Sequence, residues 1–295
     1  MLERSIAQSA HAARSCPGCG AAKTRRFGEK NSHAIVRCVR CSTLYTQDRA
    51  QSLYDDRYVT EGVAAAAFLS ERLDRIVGRF QPFRRSGRLL DVGFGGGDLL
   101  DAARRAGWRV SGVEVTSAAV ENARRRGIDA FHGTLADAQY EAESFDVVVA
   151  AEILEHIIEV AELLGEIRRV LRPGGLMWAT TPHGRGVSAR VLGVSWSVFA
   201  PPEHVQLFSV LGIRELFERS GFTPLSVAAE GVNPQELIQR LRGRTMSAEQ
   251  RIDAAYALNA FLEERPFRRA MKGAINRVLS ALRLGDSLKI WAVRR

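Results

Sequence analysis

The stretch Leu89-Leu90-Asp91-Val92-Gly93-Phe94-Gly95-Gly96-Gly97-Asp98-Leu99-Leu100 constrains the fold more than any other part of this chain. It reads as a short apolar strand, an acid at its end, a glycine turn and the start of a helix. Gly93, Gly95 and Gly97 stand at alternate positions, so the backbone can turn sharply and a ligand can approach without meeting a Cβ. The helix that follows turns its free N–H groups and positive dipole end toward that ligand. A second strand over residues 109–115 carries Glu114, 23 residues after Asp91, about where a ribose-binding carboxylate falls in a nucleotide-binding βαβ unit. A lone glycine turn is weak evidence; strand, turn, helix, strand and second acid together are stronger. The pattern is not the dinucleotide fingerprint, in which a strand runs straight into G-x-G-x-x-G and a pyrophosphate sits on the helix. Here the form is D-x-G-x-G-x-G, with the acid before the first glycine. The bland alternative is a βα turn that holds no ligand.

That form resembles the first motif of the class I S-adenosylmethionine-dependent methyltransferases. A carboxylate there suits a cofactor with a cationic amino-acid end and no phosphate to repel it. The resemblance implies an α/β fold: a doubly wound, seven-stranded Rossmann-like sheet with S-adenosylmethionine as cofactor. It places the cofactor against Asp91, Val92, Gly93, Phe94, Gly95 and Gly97 of the turn and against Glu114 and Val115 of the second strand. Thr134 and Leu135 after the third strand and Glu152 after the fourth complete the set. Many members set an acid directly after the third-strand glycine to accept from the adenine amine. This chain has Thr134 after Gly133, which leaves the adenine to the backbone and Leu135, or to Asp137.

The rest of the catalytic domain alternates strands and helices, the pattern of a doubly wound sheet. Phe68, Leu69, Leu73, Ile76, Val77 and Phe80 are spaced for one buried face of a helix over residues 62–83. Helices over 98–106 and 116–126 end at Gly107 and Gly127. Ile128-Asp129-Ala130-Phe131-His132 is the third strand, and Ser144-Phe145-Asp146-Val147-Val148-Val149-Ala150 is an apolar run of the kind buried in a parallel sheet. After a helix over 160–171, Arg172-Pro173-Gly174-Gly175 is expected to turn the chain into a fifth strand over 176–180; this turn also looks like the family. Residues 181–208 are read as irregular, rich in unusual polar and aromatic residues, and placed after a strand's carboxyl end, where open α/β sheets bind ligands. A helix capped near Ser209 and ended by Gly221, a sixth strand over 222–229 and a closing strand over 288–293 complete the sheet. Family members usually join the last two strands by a hairpin. Here a helical, basic insertion of roughly fifty residues intervenes, a lid or a dimer arm.

All four cysteines fall within the first 41 residues, as Cys16-x2-Cys19 and Cys38-x2-Cys41 with eighteen residues between the pairs. Such spacing reads as a tetrahedral zinc site, each pair forming a knuckle whose thiolates face one metal. With four protein ligands the metal would have no open position, so its role would be structural. The rival readings are a metal-free degenerate ribbon and a redox pair. A zinc knuckle leading into Leu53-Tyr54-Asp55-Asp56-Arg57-Tyr58 resembles a subgroup of bacterial methyltransferases with an N-terminal ribbon, several of which act on sugars, cell-surface polysaccharide precursors or secondary metabolites. The expected organisation is a leader and ribbon over 1–50, the methyltransferase domain over 51–232 and 285–295, and the helical insertion over 233–284.

No run approaches 18 uninterrupted apolar residues, so no transmembrane segment is indicated. Residues 1–15 lack a signal-peptide apolar core, and a cytoplasmic location is expected. The net charge of +9 is nearly all arginine, the only lysines being Lys23, Lys30, Lys272 and Lys289. A basic balance permits nucleic-acid or anionic-membrane partners; solvated helix faces are the plainer account.

Methyl transfer from a sulfonium needs chiefly an in-line nucleophile. An oxygen acceptor must also lose a proton, to a histidine or a carboxylate. His156, His183 and His204 lie near the expected site, and His204 of Pro202-Glu203-His204 is the leading base, with a loop-bracing role as its rival. Glu152, Glu155 and His156 form an E-x-x-E-H pattern that resembles the ubiquinone-pathway O-methyltransferases, where matching positions have been linked to a divalent cation. Spaced i, i+3 and i+4, the three could share one face of a helical turn; magnesium is the lesser reading beside a structural carboxylate–histidine bond. The expectation is therefore methylation of a small molecule or glycan precursor, on oxygen with His204, His156 and Glu155 as catalytic candidates, or on carbon. An RNA methyltransferase using the ribbon and the basic surface is an alternative, although residues 150–153 lack an Asn/Asp-Pro-Pro-aromatic sequence and the catalytic domain has no cysteine nucleophile. A non-catalytic binding protein on the same scaffold is the third reading, and a homodimer is allowed.

Overall fold

A computed structural model describes residues 14–49, 67–244, 246 and 248–295. Most of the leader, the segment over 53–58 and the start of the helix expected from residue 62 lie outside the described residues. The first unit is a small antiparallel sheet of β1 (Thr24–Lys30), β2 (His33–Cys38) and β3 (Leu44–Thr46). Only the strand over 34–37 was expected; β1 and β3 flank it on either side.

The main sheet contains β4 (Arg88–Val92), β5 (Arg109–Glu114), β6 (Asp129–His132), β7 (Phe145–Ala151) and β8 (Leu171–Pro182), all parallel. The short β9 (Gln206–Leu207) leaves this domain and pairs with β3, extending the cysteine-bearing sheet to four strands. Two antiparallel strands, β10 (Phe222–Glu230) and β11 (Ser287–Arg294), close the main sheet, whose order is β10-β11-β8-β7-β4-β5-β6. The order reverses between β4 and β7. Open α/β sheets bind ligands outside the carboxyl ends at such a point.

Burial explains the central positions. In β7 six residues from Phe145 to Ala150 are buried, as a strand covered on both faces must be. On one face lie α1 (Ala67–Gly78), α2 (Asp98–Arg105) and α3 (Ser117–Arg125), which bring Val77, Leu99, Leu100, Val120 and Ala123 onto Leu89, Val147 and Val149. On the other, α4 (Val160–Val170) and α6 (Val210–Arg219) pack Leu164, Ile167, Ile213 and Leu216 onto Leu90, Val148 and Met177. Each such leucine or isoleucine contributes roughly 2 kcal/mol. Ser209 caps α6, its Oγ accepting from the Gly212 N–H at 2.9 Å.

Two local expectations are corrected. Arg172-Pro173-Gly174-Gly175 is not a turn before β8 but an excursion inside it. The ladder pairs Leu171 with Phe145 and resumes at Leu176 opposite Val147. Asp146 holds this bulge: fully buried, it accepts from the Arg85 N–H at 2.8 Å, the Gly87 N–H at 2.7 Å and Arg172 Nε at 2.7 Å. Burial raises its carboxyl pKa, but those donors outweigh burial and hold it below the ordinary value. Residues 181–208, expected to be irregular, contain β9 and a short α5 (Val187–Leu192). Between β10 and β11 stand α7 (Pro234–Leu241), α8 (Ala248–Glu263) and α9 (Pro266–Ala281), the helices anticipated there.

Candidate active site at the carboxyl edge

The glycine turn adopts the conformation its residues allow. Gly93, Gly95 and Gly97 have φ of 70°, 51° and 77°, the region that side chains disfavour. A Cβ on Gly93 would stand 2.1 Å from Ile153 Cδ1, and one on Gly97 2.7 Å from Arg126 Nη2. A Cβ on Gly95 would meet nothing within 4 Å, so that residue faces open space. Arg126 pins the turn by donating to the Gly96 carbonyl at 2.6 Å and to Asp101 of α2. The Phe94 ring lies in the core against Gly112, which leaves its backbone on the turn.

Asp91 and Glu114 end adjacent parallel strands, and both are buried. Glu114 accepts from the Gly95 N–H at 3.0 Å through one oxygen, and from the Val115 and Thr116 N–H groups at 2.8 and 3.0 Å through the other. The Asp91 carboxyl makes no hydrogen bond among the described residues, while its backbone stands in the ladder between β5 and β7. Burial first, and then the Glu114 charge, push its pKa up to about 8. A cation brought beside this acid would favour its ionised form. Val115 is partly exposed beside Glu114. After β6, Thr134 and Asp137 bind each other, Thr134 Oγ1 to Asp137 Oδ2 at 2.6 Å, while the Leu135 side chain is buried.

The second cluster lies on the turn after β7. Glu152, Glu155 and His156 do not share a helical face: Glu152 has φ of 54° and is exposed, and the residues that follow form a tight turn. β7 ends at Ala151, the Glu152 N–H bonds the Thr180 carbonyl at 2.9 Å, and the left-handed backbone of Glu152 keeps it out of a helical turn with Glu155 and His156. Glu155 and His156 are instead joined by His204 from the distant loop. One ligand atom of each lies within 4.8 Å of the others. The two imidazole rings meet edge to face at 4.5 Å between centroids. Glu155 is fully buried; Thr181 Oγ1 donates to its Oε2 at 2.9 Å, and Oε1 lies 3.9 Å from His156 Nε2. Burial and the nearby Glu152 hold its carboxyl well above the usual range. His156 Nδ1 is 3.0 Å from the Glu203 carbonyl, and His204 Nδ1 is bonded to the Val198 carbonyl. Burial lowers both pKa values, that of His204 to about 3 with His156 as the second cause. His183 stands apart as a brace: it is buried, its Nδ1 is 2.7 Å from the Gly285 carbonyl, and burial lowers its pKa to about 4.

Residues 65–227, more than half of the chain, match the methyltransferase domain family. The chain belongs to that family. A ubiquinone biosynthesis O-methyltransferase of Cereibacter sphaeroides is 28% identical over 202 residues, covering 64% of this chain and 79% of its own. An S-adenosylmethionine-dependent methyltransferase structure from Archaeoglobus fulgidus superposes with a TM-score of 0.51 at 16% identity, over 76% of this chain and 94% of its own. The cyclase SpnF superposes at 0.50 with 21% identity, over 88% and 87%. At such identities the two structures show the fold alone, and the cyclase shows that this fold also serves other chemistry. The chain is thus an S-adenosylmethionine-dependent methyltransferase on a seven-stranded sheet, as the glycine turn implied.

The methyltransferase's cysteines meet as their spacing predicts. The Cys16 and Cys41 sulfurs are 3.4 Å apart, those of Cys19 and Cys38 3.5 Å, and all four Sγ atoms lie within 4.8 Å of one another with no disulfide. The knuckles repeat each other. Gly20 N–H bonds the Cys16 carbonyl at 2.8 Å and Ser42 N–H the Cys38 carbonyl at 3.0 Å, each from a residue of positive φ. Four sulfurs at this spacing fit a tetrahedral zinc with Zn–S near about 2.3 Å. Magnesium does not fit the other cluster, because it prefers octahedral oxygen ligands. Glu155, His156 and His204 offer one buried carboxylate and two imidazoles.

Sequence reasoning missed Gln206 and Arg14. Gln206 is fully buried and donates through Nε2 to the Leu154 and Ile157 carbonyls at 2.8 and 2.7 Å, so it holds the Glu155 turn from both sides. Its Oε1 accepts from Arg14 at 2.8 Å, and the backbone N–H of Val205 bonds the Glu155 carbonyl at 2.9 Å. No local pattern signals a glutamine whose partners lie about fifty and about two hundred residues away.

Proposed function

We propose that this methyltransferase methylates an oxygen of a small-molecule acceptor, with His204 as the base. The reading rests on one observation above all: His204 meets Glu155 and His156, which lie on the turn whose Ile153 packs against Gly93 of the glycine turn. Cofactor end and proton-handling end are thereby neighbours on one sheet edge.

S-adenosylmethionine supplies an electrophilic methyl on a sulfonium. Asp91, its carboxyl buried and without a hydrogen bond among the described residues, receives the cationic amino-acid end. Glu114 holds Gly95, Val115 and Thr116 through three of its lone pairs and keeps one for a ribose hydroxyl. Gly93, Gly95 and Gly97, with the Val92 and Phe94 backbone between and before them, leave room for the cofactor, and Val115 flanks it. Leu135 and Thr134 present backbone groups to the adenine, and Asp137 its remaining oxygen.

His204 keeps its proton on Nδ1, facing the Val198 carbonyl, so the Nε2 lone pair is the acceptor. Burial keeps the ring neutral at physiological pH, ready to take the hydroxyl proton, and makes its imidazolium acidic enough to release that proton quickly. Small-molecule O-methylation is also what the name of the Cereibacter relative describes. Cys16, Cys19, Cys38 and Cys41 would hold zinc as a structural ion.

Purified protein supplied with methyl-labelled S-adenosylmethionine and matched panels of phenols, nucleotide sugars and RNA tests the reading. Label on a phenolic oxygen supports it. Label on an oxygen of a nucleotide sugar supports it equally, and label on carbon or confined to RNA refutes it.

A further inference from the structure

Helix α9 presents an apolar face that no described residue covers. Phe267, Ala270, Met271, Ala274, Ile275, Val278, Ala281 and Leu282 recur at steps of three and four, which at 3.6 residues per turn puts them on one continuous stripe. All eight are exposed, Phe267 at 78%, Val278 at 58% and Leu282 at 60%. No residue of α9 is buried. A stripe of this kind normally faces a core, and α9 keeps its opposite side for the fold: Lys272 and Arg269 reach Glu263 there. Phe261, 53% exposed at the end of α8, carries the apolar surface around the elbow beneath the Arg268 guanidinium.

The charges say what covers it. From Arg265 to Gly285 the sequence has six basic residues, Arg265, Arg268, Arg269, Lys272, Arg277 and Arg283, and no acid. Helical spacing sets Arg277 on one border of the stripe and Arg268 on the other. Arg265, Arg277 and Arg283 make no ion pair among the described residues; Arg268 pairs with Glu264 at 2.8 Å. Two copies packed stripe to stripe would set arginine borders against each other with no carboxylate on α9 to neutralise them, whereas helical pairs normally place opposite charges at those borders. An amphipathic helix with a basic rim and Phe, Leu and Ile on its apolar face is built to lie in the interface of an anionic bilayer.

We propose that α9 docks the enzyme in the plane of an anionic lipid membrane, its stripe among the acyl chains and its arginines at the headgroups. No helix of the described residues is long and apolar enough to cross a membrane, so the attachment is peripheral. Its orientation is useful. Ser287 pairs with Pro182 at the carboxyl end of β8, and the Leu284 carbonyl accepts from Val187, so the C-terminal end of α9 lies at the same sheet edge as the candidate active site.

Co-sedimentation of the full chain with vesicles of phosphatidylglycerol and phosphatidylcholine, and with pure phosphatidylcholine, tests this, with solution mass measured in parallel. Binding to the anionic vesicles only, weakened by salt and lowered about a hundredfold by Ile275→Glu with Val278→Glu, supports the proposal. Arg277→Glu with Arg283→Glu should lower it by about tenfold while leaving the stripe intact. Unchanged S-adenosylmethionine affinity in both variants shows that they are folded. Equal sedimentation with pure phosphatidylcholine, no sedimentation with either, or a dimer mass that the Ile275→Glu, Val278→Glu variant abolishes overturns it.

Discussion

Replacing Asp91 by asparagine should stabilise the apo protein above about pH 5 while disabling cofactor binding. The Asp91 carboxyl titrates near its ordinary value when the chain is unfolded, and burial with Glu114 alongside lifts it to about 8 in the fold. The folded state therefore binds the extra proton between those two values, and stability falls as pH rises through that window. From about pH 4 to about pH 7 the loss amounts to at most about 4 kcal/mol, at 1.36 kcal/mol per pH unit. Asparagine has nearly the same shape and does not titrate, so its advantage over the wild type should grow across that range. Urea unfolding at a series of pH values without cofactor measures it. Cofactor binding gives an independent reading, because a cation beside Asp91 requires the carboxylate. Association below pH 8 should release a proton, and affinity should improve with pH, by up to about tenfold per unit, until the acid is ionised. Calorimetry in buffers of different ionisation enthalpy counts that proton. Parallel stability curves for wild type and Asp91→Asn, together with proton-neutral binding, would refute the reasoning.

Cys38→Ser should lower zinc from one per chain to near zero by elemental analysis and melt the β1–β3 sheet; normal zinc content would remove the ribbon assignment. His204→Ala should reduce turnover by about a hundredfold or more while cofactor affinity stays nearly unchanged. Because the ring stays neutral from about pH 5 upward, the wild-type rate should show no acid limb from His204 there, and wild-type turnover in the variant excludes it as base. Arg172→Ala strands the buried Asp146 carboxylate with two backbone donors and should cost about 3 kcal/mol in urea unfolding. Since the Asp146 pKa is depressed in the fold, its stabilisation is present above the ordinary carboxylate value and disappears as pH falls through the folded one; a variant as stable as wild type at pH 7 would contradict this.

The parts of the fold that were legible in the sequence are those fixed by local chemistry. Three glycines of positive φ between a strand and a helix can do little else, and the run from Val147 to Ala150 is apolar on both faces. The paired C-x-x-C knuckles belong to the same class. What misled was spacing taken as geometry. Glu152, Glu155 and His156 are spaced for a helical turn, but Glu152 takes a left-handed backbone beside β8, and tertiary packing overrides the spacing. Arg172-Pro173-Gly174-Gly175 has the composition of a turn and becomes a bulge because Asp146 has donors to satisfy. Nothing local marks Gln206 or Arg14, whose value lies wholly in partners far along the chain.

Those distant partners also explain why the glycine turn and the wall that carries His204 are built differently. Asp91, Glu114 and the glycine turn are positioned by neighbouring strands of one sheet, so any chain with that sheet can present them. The wall carrying His204 is held by three separate pieces of chain. β9 pairs with β3 of the cysteine-bearing sheet, and Lys30 and Asn31 at the end of β1 bond the Trp196 and Pro201 carbonyls at 2.8 and 2.7 Å. Gln206, held by Arg14, fixes the Glu155 turn from beneath. His183 and Asp286 join the start of this wall to the end of the helical insertion, with Asp286 accepting from the Ser188 N–H and hydroxyl at 2.9 and 2.6 Å. A change in any of the three pieces bears first on the wall that carries His204 and reaches the glycine turn only through Ile153, which packs against Gly93. The cysteine-bearing sheet is therefore a mechanical support of the wall that carries His204.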